Sequence, residues 1–128
     1  MSTPEQLLWY ADSAPVDFPG VPDGSAERNN AQCGDHCVAT VWVRDSLVFG
    51  VKMEVEGCAV CRGVAGWLQE CARGVPVSTV LAWSPLHAVT SWGLALGPLR
   101  RKCAALPVET LLAALHASPA HQRDRSPL

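Results

Sequence analysis

The stretch "CVATVWVRDSLVFGVKMEVEGC", residues 37–58, decides the fold. Apolar and polar residues alternate along most of it, on both sides of a polar break at residues 44–46. Alternation with a period of two is typical of a half-buried β-strand, and a polar break between two such runs is typical of a hairpin turn. If the turn centres on Asp45, Cys37 pairs with Met53 and both apolar sets share one face. We therefore predict an antiparallel hairpin.

A helix is predicted directly after the hairpin, because the apolar residues that follow Gly57 repeat with the period of a helix. Gly74 and Pro76 end this pattern. The other predicted elements are a helix over residues 4–11, a surface loop over residues 15–30, two short helices within residues 77–99, and a last helix that begins near Pro107.

The chain has 128 residues, which is enough for one domain with its own hydrophobic core. The predicted class is α+β: an antiparallel β-hairpin or small three-stranded sheet packed against several helices. We predict that residues 1–117 form this domain. Residues 118–128 have no apolar pattern and are predicted to form a flexible C-terminal tail.

Composition restricts the partners and the compartment. Ten basic residues against 12 acidic ones give a formal charge of −2, which provides no electrostatic reason to expect nucleic acid as a partner. No apolar run has the length of a membrane span, and the N-terminus does not resemble a secretory signal. We therefore expect a cytoplasmic protein whose six cysteines stay reduced.

Several potential metal ligands lie at the ends of predicted elements. Cys33 and Asp35 precede the first hairpin strand, Cys58 begins a helix, and Cys103 lies just ahead of the last helix. Three thiolates and a carboxylate can hold zinc, or iron with one exchangeable position. The predicted register brings Cys33 beside Cys58, whereas spacing alone does not place Cys103. His36 is a candidate for a supporting position next to the ligands.

A competing set of ligands combines a CxxxC and a CxxC motif, namely Cys33, Cys37, Cys58 and Cys61, and would form a closed structural zinc site. The predicted register argues against this set, because Cys37 and Cys61 lie on the apolar faces of their own elements. Cys71 lies on the same helical stripe as Cys61, so we expect it in the core.

Three segments resemble the NifU N-terminal domain, IscU and SufU, a family of iron–sulfur cluster assembly proteins. They are "NNAQCGD" at residues 29–35, "VEGCAVC" at residues 55–61 and "RRKCAALPVETLLAAL" at residues 100–115. The similarity runs from about residue 4 to residue 117, with the family's elements in the same order. It implies that the metal or cluster ligands are Cys33, Asp35, Cys58 and Cys103.

The leading function that the resemblance implies is a scaffold and sulfur acceptor rather than an enzyme that turns over. A cysteine desulfurase would deliver sulfur to Cys103, while Cys33, Asp35 and Cys58 hold iron. A transient [2Fe–2S] cluster would then pass to apo iron–sulfur recipient proteins. The segment "LGPLRRKC" is similar in place to the chaperone-binding loop of IscU, which makes a chaperone a further candidate partner.

Two alternative functions stay open. One is a SufU-like, zinc-dependent sulfurtransferase that activates a cysteine desulfurase, in which Arg101 or Lys102 exchanges with a metal ligand. Lys102 stands where IscU-type members have a histidine. The other is a structural zinc-binding interaction module without chemistry. The chain also departs from the family after Cys58, where Cys61 and Val64 replace small, serine-rich positions.

Overall fold

The predicted hairpin is the centre of the structure. The computed structural model describes residues 4–32 and 34–119. In it, the hairpin consists of β2 (Asp35–Arg44) and β3 (Leu47–Glu56). A further strand, β1 (Gly24–Asn30), pairs antiparallel with β2, so the sheet has the order β1-β2-β3. This three-stranded antiparallel sheet with helices confirms the predicted α+β class.

Helices pack on one face of this sheet, with α5 against β1 and β2, and α2 against β3 and α5. None of the helices among the described residues is long and apolar enough to cross a membrane. The helices are α1 (Pro4–Trp9), continued by a 3-10 turn (Tyr10–Asp12), then α2 (Ala59–Cys71), α3 (Val77–Leu81), α4 (His87–Trp92) and α5 (Pro98–His116).

The core lies between the sheet and these helices. Strand residues at every second position point into it, as the alternation predicts. Helical residues at spacings of three and four meet them from the other side. The fully buried side chains include Val41, Val51, Val64, Leu68, Val108 and Leu111.

The pairing within the hairpin differs from the prediction by two residues, since Cys37 pairs with Val55 rather than with Met53. Asp45 and Ser46 alone form the turn, with φ of 53° and 63°. Positive φ at both central residues is the requirement of a type I′ hairpin turn of two residues.

A bulge at Phe49 of β3, opposite Trp42 and Val43, moves the pairing by one more residue. Beyond the bulge, the shift of two keeps the side chains on their predicted face. Next to the turn the shift is only one residue, so Val48 is buried and Leu47 is exposed, which is the reverse of the predicted alternation.

The sequence predicts a surface loop over residues 15–30, and this is wrong for β1. Its residues, "GSAERNN", show no alternation because β1 is an edge strand with mostly exposed side chains. Close packing against α5 holds β1 in place. This packing leaves no room for a side chain at Gly24, because a Cβ atom there would lie 2.3 Å from the Ala114 carbonyl oxygen of α5. The preceding loop does lie over the sheet, where the Trp42 indole N–H donates to the Gly20 carbonyl at 3.1 Å.

The last helix begins at Pro98 rather than near Pro107, so Cys103 lies inside α5 and not ahead of it. Pro107 has no N–H to donate to the Cys103 carbonyl, and an interior proline costs a helix about 3 kcal/mol. Burial of the surrounding side chains offsets this cost, because nearly every residue from 103 to 108 is in the core.

The C-terminal prediction falls largely on residues that are not described. Ser118 is buried, and its N–H donates to the Leu115 carbonyl at 3.1 Å. Residues 120–128 lie outside the described part of the chain. The division into a domain over 1–117 and a flexible tail over 118–128 therefore stays a prediction.

Candidate metal centre

The carboxylate of Asp35 is buried at the first position of β2, where the residue is 2 % exposed. Its Oδ1 accepts a hydrogen bond from the backbone N–H of Cys58 at 3.0 Å, and its Oδ2 lies 3.7 Å from the Cys58 Sγ. A buried carboxylate is unfavourable unless it is hydrogen-bonded or paired, and an N–H at a helix start suits it. Asp35 thus joins the start of β2 to the start of α2.

Gly57 makes this approach possible. A Cβ atom at Gly57 would lie 2.4 Å from the Asp35 Oδ1 and 2.7 Å from its Cγ. Real Cβ atoms do not tolerate such distances, so any larger residue would displace the carboxylate. Sequence reasoning did not assign Gly57 to the site. Its position directly before Cys58 was the available signal, because glycine often marks a close backbone approach.

Cys58 is the N-cap residue of α2, with φ of −70° and ψ of 165°. Its carbonyl accepts the first hydrogen bond of the helix from the Arg62 N–H at 3.0 Å. The Cys58 side chain is partly exposed, whereas Asp35 beside it is buried. The change from strand to helix at Gly57 therefore presents the Cys58 sulfur at the end of the sheet.

Cys103 reaches the same place from α5 and is 2 % exposed. One donor atom each from Asp35, Cys58 and Cys103 lies within 4.8 Å of the other two. The three residues come from β2, the start of α2 and the second turn of α5, which are far apart in sequence. The fold thus brings together three of the four predicted ligands.

The fourth predicted ligand, Cys33, lies outside the described residues. The turn before it is connected to α5, because the Lys102 ammonium donates to the Gln32 Oε1 at 2.9 Å. This contact joins the residue next to Cys33 to the residue next to Cys103. The ligand role of Cys33 stays a prediction.

Cys37 and Cys61, the other members of the competing zinc set, are both completely buried. Neither belongs to the group of converging donor atoms found among the described residues. Burial raises the pKa of Cys37 to about 11, against a smaller opposing effect of its hydrogen bond with Thr110. Burial is also the main reason why the pKa of Cys61 is raised, and charge on Cys37 and the converging groups raises it further.

His36 and Cys71 are not among the converging donor atoms found in the described part of the chain. His36 contacts β1, where its Nδ1 is hydrogen-bonded to the Asn29 Oδ1 and its Nε2 lies 3.6 Å from a Glu27 carboxylate oxygen. Cys71 is half-buried at the end of α2, and burial raises its pKa to about 12.

A separate cleft of about 990 Å³ lies at the opposite end of the hairpin, beside the turn. The Arg44 guanidinium lies 4.0 Å from the centre of the Phe49 ring, and that of Arg73 lies 4.8 Å from the Phe18 ring. Both arginines of the cleft therefore form cation–π contacts with aromatic rings. The cleft shares no lining residue with the candidate metal centre.

No protein-family model and no curated protein matches this sequence. Solved structures do match it. A protein from Fervidobacterium islandicum, assigned as an iron–sulfur cluster assembly scaffold for the SUF system, superposes with a TM-score of 0.69 at 21 % identity, over 87 % of this chain and 94 % of that one. A hypothetical protein of known structure gives a TM-score of 0.68 at 20 % identity, over 86 % and 94 % of the two chains.

The N-terminal part of a nitrogen-fixing NifU-like protein from Brucella abortus also matches. Its TM-score is 0.62 at 16 % identity, and the match covers 95 % of this chain and 94 % of that one. These similarities cover most of every chain involved. The resemblance seen in the sequence is therefore confirmed at the level of the fold: this chain has the fold of SufU and NifU-like proteins.

Proposed function

We propose that this protein is a scaffold for iron–sulfur cluster assembly. The observation that carries the proposal is the convergence of Asp35, Cys58 and Cys103 from three separate elements. The fold supports it, because a structure with this fold is assigned as such a scaffold. The metal and the cluster are cargo, which the protein receives and passes on.

The donor atoms fit a thiophilic metal. A tetrahedral ion bound to sulfur at ~2.3 Å and to oxygen at ~2.1 Å holds these two ligand atoms about 3.6 Å apart. The observed separation between the Cys58 Sγ and the Asp35 Oδ2 is 3.7 Å. Two sulfur donors and one oxygen donor suit iron or zinc better than magnesium or calcium. Cys33 is proposed as the fourth ligand.

Cys103 is proposed as the residue that accepts sulfur from a cysteine desulfurase. It is almost completely buried, so the donor can reach it only when the groups around it separate. The Lys102–Gln32 hydrogen bond lies next to this position. Because the sulfur atoms of Cys103 and Cys58 lie within 4.8 Å of each other, sulfur bound to one is close to the other.

Asp35 is proposed as the exchangeable ligand. A single carboxylate oxygen holds iron less tightly than a thiolate does, so it can give way to a ligand of the recipient protein. The proposed partners are a cysteine desulfurase, apo iron–sulfur recipient proteins and a chaperone. We place the protein in the cytoplasm, where thiols stay reduced.

Anaerobic purification followed by measurement of iron, acid-labile sulfide and zinc tests this function. A scaffold contains iron and sulfide in comparable amounts after reconstitution, and Cys58→Ala loses both. Cys71→Ala is the matched control, because it removes a cysteine of the same helix that lies outside the donor group, and it should retain both.

Other results would point to the alternatives. One tightly bound zinc ion together with activation of a desulfurase would establish the zinc-dependent sulfurtransferase instead. Zinc that is lost in Cys37→Ala but retained in Cys103→Ala would establish the closed structural site. Either result overturns the scaffold proposal.

A further inference from the structure

One cysteine beside the candidate metal centre has no part in the proposed function. Cys61 follows Cys58 by three residues, and the two stand at the start and the end of the first turn of α2. The hydrogen bond from the Arg62 N–H to the Cys58 carbonyl closes this turn at 3.0 Å. The pair is therefore a CxxC motif at a helix start.

The two sulfur atoms differ in exposure. The Cys58 side chain is partly exposed at the site, whereas Cys61 is completely buried in the hydrophobic core. Cys58 packs against the hydrophobic core that contains Cys61. An accessible first cysteine and a protected second one, within a CxxC at a helix start, are typical of dithiols that cycle through a disulfide.

A bond between the two sulfur atoms requires a rotation of the backbone at Cys58. Side chains three residues apart on a helix have Cβ atoms about 5–6 Å apart, whereas a disulfide needs about 3.5–4.5 Å. Cys58 has an extended conformation and lies outside the regular helix, so rotation at this residue can close the difference. Cys71, on the same helix, has no such partner three residues away.

We propose that Cys58 and Cys61 are a dithiol that reduces sulfur delivered to this site to sulfide and ends the reaction as a Cys58–Cys61 disulfide. This inference rests on the proposed function, because that function brings sulfane sulfur to the site. Cys61 is then the residue that converts the delivered sulfur into the oxidation state that a cluster contains.

The reaction balances without a further reductant in the first turnover. The Cys58 thiolate attacks the outer sulfur of the delivered persulfide, so Cys58 becomes a persulfide and the donor leaves as a thiolate. Cys61 then attacks the Cys58 Sγ, the bond between Sγ and the outer sulfur breaks, and hydrogen sulfide leaves with the Cys61 proton. The sulfane sulfur gains two electrons, and the two cysteines lose two electrons as they form the disulfide.

The disulfide also orders the events at the site. While it exists, Cys58 cannot bind iron, so sulfide production and metal binding by Cys58 exclude each other. A dithiol reductant, either a small molecule or a protein of that class, must open the disulfide before the next turnover. Sulfide release therefore stops after one equivalent per chain when such a reductant is absent.

The test uses the full chain in its metal-free form, under anaerobic conditions, with one equivalent of glutathione persulfide as the sulfane donor. Released sulfide is trapped and quantified, and free thiols are alkylated before peptide mapping by mass spectrometry. We expect the unaltered chain to release close to one equivalent of sulfide and to contain a Cys58–Cys61 disulfide. Cys61→Ser should retain the sulfur as a persulfide and release no more sulfide than Cys58→Ser.

Cys71→Ser is the matched control and should release as much sulfide as the unaltered chain. Circular dichroism checks that each variant is folded, and Cys61→Ala serves as a second variant. The mapping of the unaltered chain needs no substitution, so the proposal can be tested even if both Cys61 variants unfold.

The outcomes separate this inference from the proposed function. A persulfide that forms on the unaltered chain and stays there, or sulfide release by Cys61→Ser equal to that of the unaltered chain, overturns the inference alone. A disulfide that maps to Cys37–Cys61 or Cys58–Cys103 also overturns it. If no thiol of the chain takes up sulfane sulfur, the sulfur-acceptor function fails, and this inference fails with it.

Discussion

At the scale of single residues, the candidate metal centre depends on the contact between Gly57 and the Asp35 carboxylate. Gly57→Ala would place a Cβ atom 2.4 Å from the Asp35 Oδ1, and Asp35 is too deeply buried to move away freely. We expect zinc affinity to fall roughly 10- to 100-fold, the usual effect of disturbing the support of a metal ligand. Titration with zinc against a competing chelator measures this change.

Gly97→Ala is the control for that substitution. Gly97 lies before α5 with φ of −70°, and nothing lies within 4 Å of a Cβ atom built there. It should leave zinc affinity unchanged. Equal affinity in Gly57→Ala would show that the Asp35 carboxylate is not a ligand, or that it binds from another position.

The exchangeable role of Asp35 predicts an unusual effect of its removal. Asp35→Ala leaves only thiolate ligands, so a reconstituted cluster should pass more slowly to an apo-ferredoxin than from the unaltered protein. Asp35→Asn retains an oxygen that can accept the Cys58 N–H, and so separates loss of the carboxylate ligand from loss of that hydrogen bond. Cluster absorbance follows the transfer. Faster transfer from the alanine variant would contradict the role.

The raised pKa of Cys71 predicts that the folded chain loses stability at high pH. Burial, the main cause, raises its pKa to about 12 from a reference of 9.0. Between these values the folded state holds a proton that the unfolded state releases, so the free energy of unfolding falls as pH rises through this range. At about pH 10 the loss amounts to about 1.4 kcal/mol.

Cys71→Ala lacks this titration. It should be about 1 kcal/mol less stable than the unaltered chain at neutral pH, and this difference should disappear by about pH 10. Urea unfolding of both proteins at the two pH values measures it. A difference that is independent of pH would mean that the Cys71 thiol ionises as easily in the folded chain as in the unfolded one.

At the scale of elements, Gln69 of α2 forms a hydrogen bond with the outer edge of β3. Its Oε1 accepts the Met53 N–H at 2.9 Å, and its Nε2 donates to the Ala14 carbonyl at 3.1 Å. This side chain therefore provides hydrogen-bond partners for one backbone group of an edge strand and one of the loop after α1. It is only 6 % exposed. An amphipathic helix thus stabilises the sheet through a polar contact as well as through its apolar stripe.

Gln69→Leu should leave the Met53 N–H and the Ala14 carbonyl without these partners. Each buried group left unsatisfied costs about 1–3 kcal/mol, so we expect a loss of stability in that range or above it. Amide hydrogen exchange at Met53 should accelerate more than exchange at Val41 of the central strand. Equal acceleration at both positions would indicate global destabilisation without a special role at the edge.

At the scale of the whole molecule, the donor group connects three elements that are separate in sequence. A metal bound to Asp35, Cys58 and Cys103 would hold β2, the start of α2 and the second turn of α5 together. Because binding requires the folded arrangement, the metal should stabilise the fold. At a free zinc concentration of about 1,000 times Kd, the gain would be about 4 kcal/mol.

Thermal unfolding with and without zinc measures this effect. Cys103→Ala removes the ligand that α5 supplies, so most of the zinc-induced increase in Tm should be lost. Cys71→Ala retains all three ligands and should show the full increase. The same increase in Cys103→Ala would mean that zinc stabilises the chain from another site.

The sequence by itself determined the parts of this protein in which a local pattern matches a local structure. Alternation over residues 37–58 indicated the hairpin and, beyond the bulge, its buried face, and helical spacing after Gly57 indicated α2. Both patterns are readable because residues two apart on a strand, and three or four apart on a helix, face the same core. The motifs around Cys33, Cys58 and Cys103 indicated the candidate ligands through their resemblance to a known family.

Only the tertiary structure decided the remaining features of the fold, because contacts between segments that are far apart in the chain stabilise them. β1 is a polar strand that exists because β2 and α5 hold it, and α5 continues through Pro107 because core packing offsets the lost hydrogen bond. The approach of Cys103 to Cys58 follows from how α5 crosses the sheet. No local pattern encodes such an approach, since it depends on packing between elements that are far apart in the chain.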